Sequence, residues 1–92
     1  MKQIFWLHEE SKNGNYVYKS NDNSTIIINY DDIDKLTIMR LFMNNNKNSI
    51  YLEPYKNNIW VYKDKTINGM IIELRATVFI KNAVELETII YV

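Results

Sequence analysis

Few side chains in this sequence could carry acid–base or metal chemistry, and they are scattered. There is one histidine, His8, beside Glu9 and Glu10. It would have to anchor any His-based metal site or Ser/His/Asp arrangement alone. On a strand, neighbouring residues point to opposite faces, so His8 reads as a surface or packed side chain. Asp31, Asp32 and Asp34 could offer oxygen ligands to a hard cation. A calcium loop, however, also needs a glycine at its tight turn and a distant glutamate, and both are missing. These acids fit a helix N-cap and first turn better. Asp64 and Glu73 fall opposite each other if Asn68-Gly69 is a two-residue turn, and paired carboxylates can split their pKa values for acid–base work. Near the open end of a hairpin they read instead as separated and solvated. Neither of the two glycines sits in a phosphate-cradling motif. The absence of cysteine excludes disulfides, thiolate zinc sites and a cysteine nucleophile. We therefore expect no enzyme, no metal and no cofactor.

The aromatic residues offer a different chemistry. Seven Tyr and two Trp are present, and several recur with a period of two in the second half of the chain. Turn-derived register places Tyr51, Tyr55, Trp60, Tyr62 and Arg75 on one sheet face. These residue types dominate the centres of protein interfaces, so the five are the expected partner-binding set and the expected partner is another protein. A stacking platform for single-stranded nucleic acid is the alternative function. Glu53, Asp64, Glu73, Glu85 and Glu87 on the same expected face would repel phosphates and weigh against it. The same face would instead be amphipathic core if the N-terminal strands or a helix covered it.

Positioning these residues falls to strands. Asn13-Gly14 and Asn68-Gly69 are dipeptides favoured in two-residue hairpin turns. The first predicts a hairpin joining Gln3–Glu9 to Tyr16–Ser20. Thr25–Tyr30 has no polar face and predicts a strand buried on both sides. In the second half, a turn at Asn57-Asn58 pairs Tyr55 with Trp60, and a turn at Asn68-Gly69 pairs Tyr62 with Arg75 and Val61 with Ala76. A three-residue loop over Lys81, Asn82 and Ala83 pairs Val78 with Leu86. The apolar face then runs through Ile50, Leu52, Pro54, Ile59, Val61, Ile72, Leu74, Ala76, Val78, Ile80, Val84, Leu86, Ile90 and Val92. Between the halves, residues 32–43 read as one short helix, with Leu36, Met39 and Met43 on its inner side. Leu36, Ile38 and Phe42 also fit an alternating strand. The expected fold is α+β: an N-terminal β-hairpin, one short helix and a C-terminal four-stranded antiparallel meander. An all-β barrel or sandwich is the alternative.

Composition bounds the rest. Ninety-two residues, 47% hydrophobic, make one domain over 1–92 with enough apolar material for a core. Eleven basic and eleven acidic residues cancel, unlike the basic excess of a duplex-DNA binder. The start lacks the apolar run of a signal peptide, and no stretch approaches the roughly 20 apolar residues of a membrane helix. A cytoplasmic protein, monomeric or homodimeric, is expected. Abundant Asn, Ile, Lys and Tyr suggest AT-rich codons, and with the small size they suggest an inhibitor or adaptor from a phage or mobile element, for example in anti-defence.

Overall fold

In the structure, a computed structural model that describes residues 1–11, 14–29, 38–44, 47–66 and 68–91, the chain is all β. Its strands are β1 (Lys2–Glu10), β2 (Asn15–Lys19), β3 (Thr25–Asn29), β4 (Met39–Phe42), β5 (Ile50–Lys56), β6 (Ile59–Lys65), β7 (Ile71–Ile80) and β8 (Ala83–Tyr91). Each pairs antiparallel with the next, and β1 pairs with β8 to close an eight-stranded barrel. The expected α+β class is therefore wrong and the all-β barrel alternative is right. Among the described residues there is no helix. Met39–Phe42, the second part of the expected helix, is β4, with Met39 and Leu41 inward and Arg40 outward. The two-residue alternation thus prevails over the helical spacing of Leu36, Met39 and Met43, because β4 is hydrogen-bonded into the barrel on both sides. Residues 30–37, with Asp31, Asp32 and Asp34, lie outside the described residues.

The expected meander exists as β5–β8, but its registers differ: after Asn57-Asn58 a bulge at Tyr55 sets Trp60 opposite Pro54 rather than Tyr55, and at the next turn the loop itself is longer. Thr66 N–H donates to Met70 O and Gly69 N–H to Thr66 O. These bonds close a three-residue loop in which Gly69 takes φ +80°. Ser11–Asn15 and Ser20–Ser24 close in the same way, with Gly14 (φ 79°) and Asn23 (φ 65°) in the left-handed position. This is a three-residue loop closed by two backbone hydrogen bonds with a left-handed residue in its last position, not the two-residue turn expected from Asn-Gly. The extra loop residue slips β6 against β7 by one: Tyr62 faces Leu74, and Val61 faces Arg75. A slip of one turns every side chain over. Trp60 and Tyr62 consequently pack on the core, while Val61 points outward. At the last turn the slip is two, with Val78 opposite Val84 and Ala76 opposite Leu86, so Leu74, Ala76, Val78, Val84 and Leu86 stay inward as expected, whereas Ile80 and Ile90, expected on the same face, are exposed.

The barrel interior is filled. Phe5, Tyr18, Ile26, Met39, Leu41, Leu52, Ala76 and Val84 have no exposed surface. Eight strands leave just enough room for such side chains. The two interior tyrosines satisfy their hydroxyls at the upper end, which carries the Asn57-Asn58 and Lys81-Asn82 turns. Tyr18 Oη donates to Lys81 O at 2.8 Å and Tyr16 Oη to Glu10 Oε1 at 2.6 Å. On β3 only Ile26 and Ile28 are buried, and Ile27 is half-buried on the outside, so the strand is covered on one side rather than two. The interior is apolar, whereas a membrane-spanning barrel is polar within. β3 and β4, with five and four residues, are also shorter than the roughly 9–11 that a spanning strand needs. No described helix is long and apolar enough to cross a membrane.

Candidate binding surface

The one-residue slip separates the five expected partner-binding residues. Tyr51 and Tyr55 are exposed on β5. Trp60 and Tyr62 are half-buried against the core, so they are not on the outer face with the others. Tyr62 Oη reaches out of the barrel to donate to Asp64 Oδ2 at 3.1 Å. That hydrogen bond to a carboxylate holds the Tyr62 phenol above the usual tyrosine pKa.

Arg75 faces outward and is committed within its own strand. Its Nη2 lies 2.6 Å from Glu73 Oε2, and Lys63 Nζ lies 3.6 Å from Glu73 Oε1. The Arg75 contact is an ion pair without an aligned N–H, since neither Glu73 Oε2 nor Arg75 Nε has a hydrogen-bond partner. Glu73 is buried, and two cations with the Tyr91 hydroxyl (3.4 Å) offset its charge. The expected Asp64–Glu73 pairing does not form: Glu73 stands opposite Lys63, and Asp64 opposite Ile72. His8 is exposed at a β1 irregularity. Among the described residues, no three His, Asp or Glu side chains gather where they could hold a metal.

Sequence reasoning missed a surface at the upper end of β1, β8 and β7. Trp6 and Ile80 both stand opposite Ala83. A break in register between Val78 and Ile80 takes Phe79 out of the ladder beside them. Trp6, Phe79 and Ile80 are 58%, 61% and 59% exposed, whereas Ala83 between them is only 8% exposed. A groove of about 260 Å³ runs alongside, lined by Asn58, Val78, Phe79, Ile80 and Lys81. The signal was present in the sequence: Ile4-Phe5-Trp6-Leu7 and Val78-Phe79-Ile80 are unbroken apolar runs. In a barrel wall with one buried face, such a run must leave every second residue in water.

At the lower end, a cavity of about 280 Å³ is lined by Met1, Lys2, Gln3, Asp22, Met43, Leu86 and Thr88. Its polar groups serve one another. Gln3 Nε2 donates to Ser20 Oγ (3.0 Å), and Ser20 Oγ (2.5 Å) and Ser24 N–H (3.0 Å) donate to Asp22 Oδ1. These bonds, the one from Ser20 foremost, hold the Asp22 carboxyl down at about 2. These bonds tie Ser20, Asp22 and Ser24 together within one hairpin loop. Compared with protein-family models, with curated proteins and with solved structures, the chain matches none of them.

Proposed function

We propose that this chain is a non-enzymatic protein-binding barrel, an inhibitor or adaptor that acts by covering part of a partner's surface, and that Trp6, Phe79 and Ile80 form its contact centre. One observation carries the reading: strand register and a bulge gather three large apolar side chains, each more than half exposed, beside an open groove. Exposed apolar clusters of this kind mark interaction sites, and tryptophan is among the residues most enriched at their energetic centres. The filled interior and the closed ladder direct recognition to the outer wall, because a packed barrel offers no ligand chamber and a closed one no strand edge for a peptide to join. A cytoplasmic setting belongs to the same proposal.

The test is capture of partners from a nuclease-treated lysate of a low-GC bacterium, with Trp6→Ala and Phe79→Ser beside the parent. Both substituted side chains are mostly in water, so the thermal midpoint should hold. Affinity for the captured protein should fall about tenfold or more per variant, as truncation of an interface anchor costs about 2 kcal/mol. Undiminished capture by both variants would remove the contact centre from this surface.

A further inference from the structure

The outer face of β4, β5 and β6 carries a surface of different chemistry. Arg40 stands opposite Tyr51. Extending the register from Glu53 opposite Val61 sets Tyr51 opposite Lys63. Tyr51 and Tyr55 are 55% and 59% exposed. A break in register between Pro54 and Lys56 takes Tyr55 out of the ladder, as bulges do where a side chain is re-aimed. Tyr55 borders a groove of about 280 Å³ lined also by Glu53, Pro54, Val61 and Lys63. Lys56 Nζ lies over one face of the Tyr55 ring, 5.3 Å from its centroid, which sets a cation directly beside this aromatic.

The charge on this face is not what the sequence led us to expect. Of the five acids assigned to it, Glu73 is buried against Lys63 and Arg75, Glu85 and Glu87 lie on β8 toward β1, and Asp64 is bonded to Tyr62 on the other side of β6. Glu53 is left as the one acid among the described outward residues of these strands, with exposed Arg40, Lys56, Lys63 and Lys65 around it. The repulsion that weighed against nucleic acid has moved elsewhere on the barrel.

We propose that this face binds single-stranded nucleic acid. Bases stack on Tyr51 and Tyr55, Arg40, Lys56 and Lys63 hold phosphates, and Glu53 reads a guanine. Exposed tyrosines interleaved with cations are the elements of such sites, and a free base face exists only where a strand is unpaired. The rings are four residues apart on one strand, about 13 Å at ~3.3 Å per residue. That exceeds the ~3.4 Å step between stacked neighbours, so they take non-adjacent bases. A carboxylate offers two acceptor oxygens side by side, which suit the adjacent N1–H and N2–H donors of guanine; uracil and thymine offer a single donor, N3–H, flanked by two acceptor carbonyls, so only one of the two bonds can form.

Fluorescence anisotropy with short labelled oligomers, in both ribo and deoxyribo forms and with either guanine or thymine (uracil in RNA) at the centre, tests this. The parent should bind, with guanine preferred, and log K should fall against log salt with a slope of about −2 for three phosphates. Tyr55→Ala and Tyr51→Ala should each weaken binding about tenfold. Glu53→Gln should abolish the guanine preference and leave thymine oligomers bound at least as well. Lys19→Gln on β2 removes the same charge as Lys63→Gln and should change nothing, whereas Lys63→Gln should flatten the salt slope by about 0.7. Circular dichroism checks that each variant is folded. Absence of binding to every oligomer overturns the proposal, as do tyrosine variants that bind like the parent or an effect of Lys19→Gln equal to that of Lys63→Gln. None of these outcomes bears on Trp6, Phe79 and Ile80, which lie on β1 and β7.

Discussion

Asp22 shows how a single exposed carboxylate can make stability depend on pH. Its Oδ1 accepts from the Ser20 hydroxyl and the Ser24 amide, and both bonds favour the ionised form. The folded carboxyl therefore titrates near 2, against about 3.9 in an unfolded chain. With the folded value depressed, the stabilisation is complete above about pH 4 and is lost as pH falls from there toward 2. Solvent reaches this loop, so the contribution is modest, about 0.5–1 kcal/mol rather than what the shift alone implies. Asp22→Asn should accordingly lower the midpoint of urea unfolding at pH 7, and the parent and variant should converge as pH approaches 2. A constant difference across that range would place the bonds' value outside the ionised carboxylate. At the same scale, Trp60 and Tyr62 show why an amphipathic aromatic in a strand is ambiguous: its type suits an interface or a core equally, and only register decides.

Register is a property of elements, set by loops. Three hairpin loops share one form, with the left-handed position occupied by Gly14, Asn23 and Gly69. A Cβ at Gly69 would meet nothing within 4 Å, so substitution there is a matter of φ alone. Asparagine already occupies the equivalent place at Asn23, and Gly69→Asn should be nearly neutral, within about 0.5 kcal/mol. Gly69→Val should cost about 1–3 kcal/mol, because a β-branched residue resists positive φ. Equal denaturant midpoints for the two variants would contradict the loop form. This loop also marks how far the sequence could be read. Asn-Gly correctly located the hairpins, and the alternating apolar residues Leu74, Ala76, Val78, Val84 and Leu86 correctly gave the inner face of β7 and β8, with Ile80 and Ile90 the exceptions. Whether a loop holds two residues or three changes no pattern in the sequence, yet it turns β6 over, taking Trp60 and Tyr62 inward. The same ambiguity hid Trp6, Phe79 and Ile80, whose runs name no preferred face until pairing is known. Residues 39–42 were open to both periods, and pairing with β3 and β5 settled them as strand.

At the scale of the molecule, the feature with no local signature is closure. Lys2 pairs with Glu87 and Trp6 with Ala83, so the two ends of the chain meet in one seam. A contact between residues so far apart pays its full loop-closure entropy before it returns anything, which makes the seam the last part of the wall that folding can complete. Phe5 sits in that seam opposite Val84, and both are wholly buried. Leu52, equally buried, lies in β5, away from it. Truncating either to alanine removes a large buried side chain and should cost about 2–5 kcal/mol in denaturant unfolding. The two variants should nevertheless behave differently. Phe5→Ala weakens the one pairing whose opening frees the edges of both β1 and β8, and unpaired edges recruit other chains. It should therefore show concentration-dependent association below its unfolding midpoint, and faster amide exchange in Gln3–Trp6 and Val84–Leu86 than in β3. Leu52→Ala at matched stability should stay monodisperse and exchange uniformly. If Phe5→Ala loses stability without selective exchange or association, the seam is no weaker than the rest of the ring, and the barrel opens only by unfolding as a whole.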